Sequence, residues 1–153
     1  MSGKCEIKEV LGLAARLAAG GVFIYAGFLK ASAPAEEFAY AIESYRVLPA
    51  ALTLPAALAV PWLELYLGVF LTAGIFIRQS AFCVIAMLLG FEGLLLQALV
   101  RGLPVTSCGC FGASGSNSLG HEFVQNLAFL ALAALALKYG GKFSLDSLID
   151  AHE

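Results

Sequence analysis

The sequence predicts an all-α fold: a four-helix transmembrane bundle with a short amphipathic surface helix between spans 1 and 2. Three observations carry this. The 153 residues are 60% hydrophobic and 13% charged, with mean hydropathy +0.86, too few charges to cover a soluble surface of that size. Four apolar stretches, about 10–30, 54–77, 79–100 and 121–138, have the length needed to cross a hydrocarbon core about 30 Å thick. Basic residues close them, at Lys30, Arg78, Arg101 and Lys138. Residues 1–153 therefore read as a single membrane domain, with the lipid bilayer as its first partner. A net charge of −2 without a Lys/Arg cluster offers no field for nucleic acid.

The first stretch follows a polar leader carrying Lys4, Glu6, Lys8 and Glu9. Ala31-Ser32-Ala33 resembles a signal-peptidase site, but Arg16 interrupts the apolar run, the leader holds two glutamates and Pro34 would follow the cut. The stretch is therefore expected to be retained as a span. Ala14, Ala15, Ala18, Ala19, Gly20 and Gly27 stripe it with small residues, which allow close helix approach in lipid. Residues 33–50 read as the amphipathic helix. Pro34 suits its first turn, Glu36 and Glu37 its positive end, and Phe38, Ala41, Ile42 and Tyr45 share one face. Pro49 ends it.

The second stretch contains Pro61, which predicts a kink, followed by Trp62 and Glu64. The third contains Cys83 and Glu92. The turn between them is so short that the two helices are antiparallel neighbours. Residues 102–120 form a loop rich in Gly, Ser and Asn. The fourth stretch begins with the polar residues His121, Glu122, Gln125 and Asn126, and the tail 143–153 is expected at the surface. Lys4, Lys8, Arg78, Lys138 and Lys142 fall on one side, and Lys30, Arg46 and Arg101 on the other. The positive-inside rule then places both termini in the cytoplasm and the loop outside, as in a bacterial inner membrane.

That loop holds Cys108-Gly109-Cys110. Gly109 relaxes the backbone limits on closing so small a ring, and a strained, exposed disulfide is easily reduced. The pair therefore reads as an exchangeable disulfide in the compartment that tolerates disulfides, with His121 placed to hold a thiolate or move its proton. Two alternatives stay open. Cys108 and Cys110 are half of a soft-metal site, as in a carrier of a soft ion or small sulfur species, or they are chemically idle, as in a non-catalytic assembly partner. Cys83 reads as an apolar filler or a deeper relay partner, and Cys5 has no visible partner.

Arg16, Glu64 and Glu92 lie within apolar spans, where an unpaired charge is costly and an ionisable group marks function or a helix lock. The expected arrangement is one network in which Arg16 pairs with Glu64 and Glu92 lies near. It would form a proton path or the polar end of a quinone-like pocket walled by Trp62, Tyr25 and Tyr66.

Together these residues resemble the DoxX-like/MauE family of small redox-associated integral membrane proteins. Arg16-Leu17 with Phe23-Ile24-Tyr25-Ala26-Gly27-Phe28-Leu29-Lys30 is similar to its first-span pattern, and Tyr45-Arg46-Val47-Leu48-Pro49 to its next segment. Pro61-Trp62-Leu63-Glu64 and Cys108-Gly109-Cys110-Phe111-Gly112 resemble its later signatures, while Gln125-Asn126 stands where the pattern has Arg-Asn. The resemblance implies a four-helix membrane bundle. It implies a role like that of the MauE members in maturing methylamine dehydrogenase, whose small subunit is rich in disulfides, beside a thioredoxin-like partner, MauD. DoxX relatives imply quinone as an electron acceptor. The bundle is also similar to the disulfide-generating DsbB and vitamin K epoxide reductase types, but those carry a second extracytoplasmic cysteine pair that this chain lacks.

Overall fold

A computed structural model describes residues 3–103, 105 and 118–141, with side chains from Ile7 onward. Cys108, Cys110, the side chain of Cys5 and the tail 143–153 lie outside the described residues. The helices are α1 Gly3–Ser32, α2 Ala35–Ser44, α3 Ala50–Ala73, α4 Ile77–Arg101 and α5 Leu119–Tyr139, with no strand among the described residues. All but α2 are long and apolar enough to span a membrane.

The helix ends follow local chemistry. Pro34 and Pro49 are extended and precede α2 and α3 as N-caps, not first-turn residues. Helix α2 stops at Ser44, short of the expected residue 50, because Arg46 turns left-handed at φ 52°. The second span sits four residues earlier than 54–77. Its reversal is a Schellman-type cap in which Gly74 (φ 76°) and Ile75 both donate their N–H to Phe70 O, at 2.9 and 3.0 Å. Helix α3 stays one helix through Pro55 and Pro61. Ser118 caps α5 by accepting from the His121 N–H at 3.4 Å.

Helix α1 packs between α3 and α5, and α4 packs against α5 and, less closely, against α3. Small residues make the α1–α3 crossing. A Cβ on Gly68 would sit 2.8 Å from both Gly20 O and Ile24 N, and one on Gly27 would sit 2.7 Å from Pro61 O. Of the predicted small-residue stripe, Ala15, Ala19, Gly20 and Gly27 are buried, while Ala14 and Ala18 face outward. Large apolar side chains such as Phe28, Leu58, Phe82 and Val124 are exposed. Small inside and large outside is the arrangement of helices surrounded by lipid.

Two core clusters form. Ala19, Phe23, Leu71, Ala81, Val84, Leu88 and Ala133 join all four long helices. Tyr45, Leu95 and Ala98, with Leu103, Val105, Leu119 and Phe123 against them, pack where α4 ends and α5 begins. Both stems of the cysteine loop are thus tied to the end of the bundle that α2 covers.

At the other end, Arg16 is 3% exposed and donates from Nη1 to Gly140 O at 3.0 Å. The cation meets a carbonyl at the negative end of α5. Gly12 allows this closeness, since a Cβ there would run into the Tyr139 backbone. Arg16→Met is expected to lower stability by about 1–3 kcal/mol, because it leaves a buried carbonyl without its charged donor. Thermal unfolding in detergent checks this.

Candidate functional site

Between the two core clusters lies a cavity of about 290 Å³. It occupies the half of the bundle nearest the cysteine-loop stems and draws on all five helices. The Lys30 end of α1, the start of α3, the last half of α4 and the first half of α5 form its walls. Phe38 and Ile42 of α2, with Tyr45 just beyond, roof it. The amphipathic helix thus turns the apolar face carrying Phe38 and Ile42 toward the bundle. The roof is held in place. Thr53 Oγ1 donates to Glu43 Oε1 at 3.2 Å, Gln97 Nε2 donates to Tyr45 O at 3.3 Å, and the Tyr45 ring meets Phe91 edge to face.

The polar wall centres on an ion pair. Lys30 Nζ lies 2.6 Å from both Glu64 carboxylate oxygens, and the two side chains are 3% and 13% exposed. The expected Arg16–Glu64 pair is therefore corrected: Lys30 is the partner. The close approaches of Gly20 to Gly68 and Gly27 to Pro61 set an antiparallel register that places Glu64 level with Ile24. Helical side chains lean toward their own N-terminus. Lys30 on α1 and Glu64 on the antiparallel α3 thus lean toward one another. Arg16 lies eight residues, or about 12 Å, from that level and leans away from it.

Glu92 is not in this pair either. Asn126 Nδ2 donates to Glu92 Oε2 and, at 3.1 Å, to Leu88 O, tying α5 to α4. Glu92 Oε1 is buried with no hydrogen-bond partner among the described residues. The three predicted charges thus occupy three places, and only Glu64 lines the cavity. Trp62, Tyr25 and Tyr66, the expected walls, are 56–59% exposed on the outside of the bundle. On α3, helical phase sets Trp62 and Tyr66 opposite the inward stripe of Ala56, Val60 and Glu64, and on α1 it sets Tyr25 away from Phe23 and Lys30.

His121 is exposed in the first turn of α5. Cys83 is an exposed free thiol on α4, so it fills no core space. Among the described residues, no three His, Cys, Asp or Glu side chains gather as metal ligands. A metal half-site at Cys108 and Cys110 lies outside them.

Lys30, Glu122, Gln125 and Asn126 were readable only as span ends and a polar helix start, yet all line the cavity. Glu122 and Asn126 are 4% and 5% exposed. The usable signal was Gln125-Asn126, an adjacent polar pair entering an apolar helix.

A protein-family model described as methylamine utilisation protein MauE matches residues 8–139. No curated protein and no solved structure matches.

Proposed function

The chain belongs to the MauE family, and on that premise we propose that it is a membrane thiol–disulfide exchange protein whose reactive pair is Cys108 and Cys110. It supports disulfide formation or maturation of a partner protein, in keeping with the methylamine utilisation named for the family. Both loop stems, Leu103 with Val105 and Leu119 with Phe123, pack on Tyr45, Leu95 and Ala98 beside the cavity. That single observation supports the reading, because it joins the cysteine loop to the cavity's end of the bundle.

In the exchange, a thiolate of the partner attacks one sulfur of the Cys108–Cys110 disulfide. A mixed disulfide forms and the other cysteine leaves as thiolate. The partner's second thiol resolves it. Two electrons and two protons have then moved from partner to pair, and the reverse sequence reduces a partner disulfide. His121 takes or returns the proton at the leaving sulfur. The partner is a thioredoxin-like protein or disulfide-bearing client on the outer face, with both termini of this chain in the cytoplasm. A quinone, when bound, supplies a two-electron, two-proton acceptor.

Alkylation of free thiols with and without reductant tests this in the wild type and in Cys110→Ser. A reducible Cys108–Cys110 bond should appear, and its loss in Cys110→Ser should abolish exchange with a thioredoxin-like protein, a fall of at least about a hundredfold. Cysteines that remain reduced in cells, or that bind a soft metal stoichiometrically, would overturn the proposal.

A further inference from the structure

We propose that the cavity is a binding site for a small alkylammonium ion, surrounded by aromatic rings and neutralised by Glu122. The proposal concerns the cavity alone and does not depend on thiol exchange at the cysteine loop.

The charges on the wall argue for a cation. Among the described residues, three charged side chains line the cavity: Lys30, Glu64 and Glu122. Lys30 Nζ is committed to Glu64, at 2.6 Å from both carboxylate oxygens. Glu122 is a second carboxyl group on the same wall, held by the first turn of α5 and 4% exposed. Two carboxylates against one cation repel an anionic guest. A carboxylate so far from water is costly, and a cation beside it offsets that cost.

The amides argue for a guest that brings N–H groups. Asn126 is 5% exposed and lines the cavity. Its Nδ2 directs its two N–H groups at Leu88 O and Glu92 Oε2. Its side-chain oxygen has no donor among the described residues, and neither has that of Gln125 on the same wall. Acceptors left unmet in an apolar surrounding are costly. An ammonium group carries the N–H donors that these oxygens and Glu122 accept.

The rest of the wall selects the kind of cation. Phe23, Phe38, Phe91 and Phe129 come from four helices, and Tyr45 joins them from the roof. Ring faces attract ammonium groups and pack against alkyl carbons. One ring of the wall already does this within the chain, since Lys30 Nζ lies 5.3 Å from the Phe38 ring centre. A metal ion takes its ligands from clustered acids, histidines or cysteines, and no three such side chains gather among the described residues. The volume of about 290 Å³ stands at the small end of ligand sites, which suits a short alkyl part.

The test uses the full chain in nanodiscs of zwitterionic lipid. Butylammonium is the probe, isothermal titration the readout and empty nanodiscs the blank. Saturable binding near one ion per chain is expected at neutral pH, where an amine of lysine-like basicity is charged. Glu122→Gln keeps the shape and removes the charge, and should weaken binding at least about tenfold. Phe129→Leu keeps an apolar wall and removes a ring, and should weaken it about fivefold. Butanol and butyrate, with the same number of carbons, should not displace the probe. Circular dichroism checks that each variant keeps its helical content. If butanol displaces butylammonium at equal concentration, the site is merely apolar and the proposal falls. Heat no larger than that of empty nanodiscs also overturns it, as does wild-type affinity in both Glu122→Gln and Phe129→Leu. The competition is run on the wild type, so it decides even where a variant fails to fold.

Discussion

Lys30→Met is expected to destabilise the bundle by about 3–5 kcal/mol, because it leaves the Glu64 carboxylate desolvated and without its cation. Lys30 is 5% exposed and both its ion-pair contacts are to Glu64. Among the described residues no other cation pairs with that carboxylate. The double variant Lys30→Met/Glu64→Leu should recover most of the loss, since removing both charges removes the desolvation cost along with the attraction. Lys138→Met, at the far end of α5, should change stability by less than about 0.5 kcal/mol. Unfolding in mixed micelles, followed by circular dichroism, ranks the variants. If the double variant is no more stable than Lys30→Met, the pair is not the interaction that holds these helices.

Gly68→Leu should be nearly as costly, for a different reason. Its Cβ would meet backbone atoms of α1, Gly20 O and Ile24 N, and backbone cannot swing aside as a side-chain end can. The helices must separate, and the dispersion contacts along their whole crossing weaken with them. A loss of about 2–4 kcal/mol follows from overpacking at a close helix contact. Gly21 is the internal control. It lies on the same helix as Gly20, and a Cβ there meets nothing within 4 Å. Gly21→Ala should be neutral or slightly stabilising, by up to about 1 kcal/mol of helix propensity. Equal losses in Gly68→Leu and Gly21→Ala would show that helix propensity, not the crossing, sets the cost.

Much of this fold was legible residue by residue. Spans, turns and the covering helix followed from runs of apolar residues and from Pro and Gly. The errors in their bounds came from competing local signals. The apolar run past Gly74 extended the second span, although Gly74 with φ 76° ends it. The polar face of residues 33–50 extended the amphipathic helix, although Arg46 breaks it. The candidate site was legible only in part. Glu64 is legible as a buried acid, but its partner is not, because Arg16 is the only cation in the interior of its span and Lys30 stands at the span boundary. Trp62, Tyr25 and Tyr66 were assigned to the wall on composition, while Phe23, Phe38, Phe91 and Phe129 form it. Aromatic type is visible in a sequence. Helical phase relative to neighbours is not.

What the sequence by itself determined was the solvent, the number of spans and the presence of a cysteine pair in the loop between the last two. Those properties add up along the chain, because the transfer of each residue into hydrocarbon depends on its own surface, and a turn depends on a few adjacent dihedrals. Only the tertiary structure decided that Lys30 neutralises Glu64, that Arg16 caps α5 and that a cavity lies under α2. Each of these depends on the register between helices far apart in the chain. That register is set at the Gly20–Gly68 and Gly27–Pro61 contacts, where one extra methyl group would slide or part the helices and so change which side chains meet.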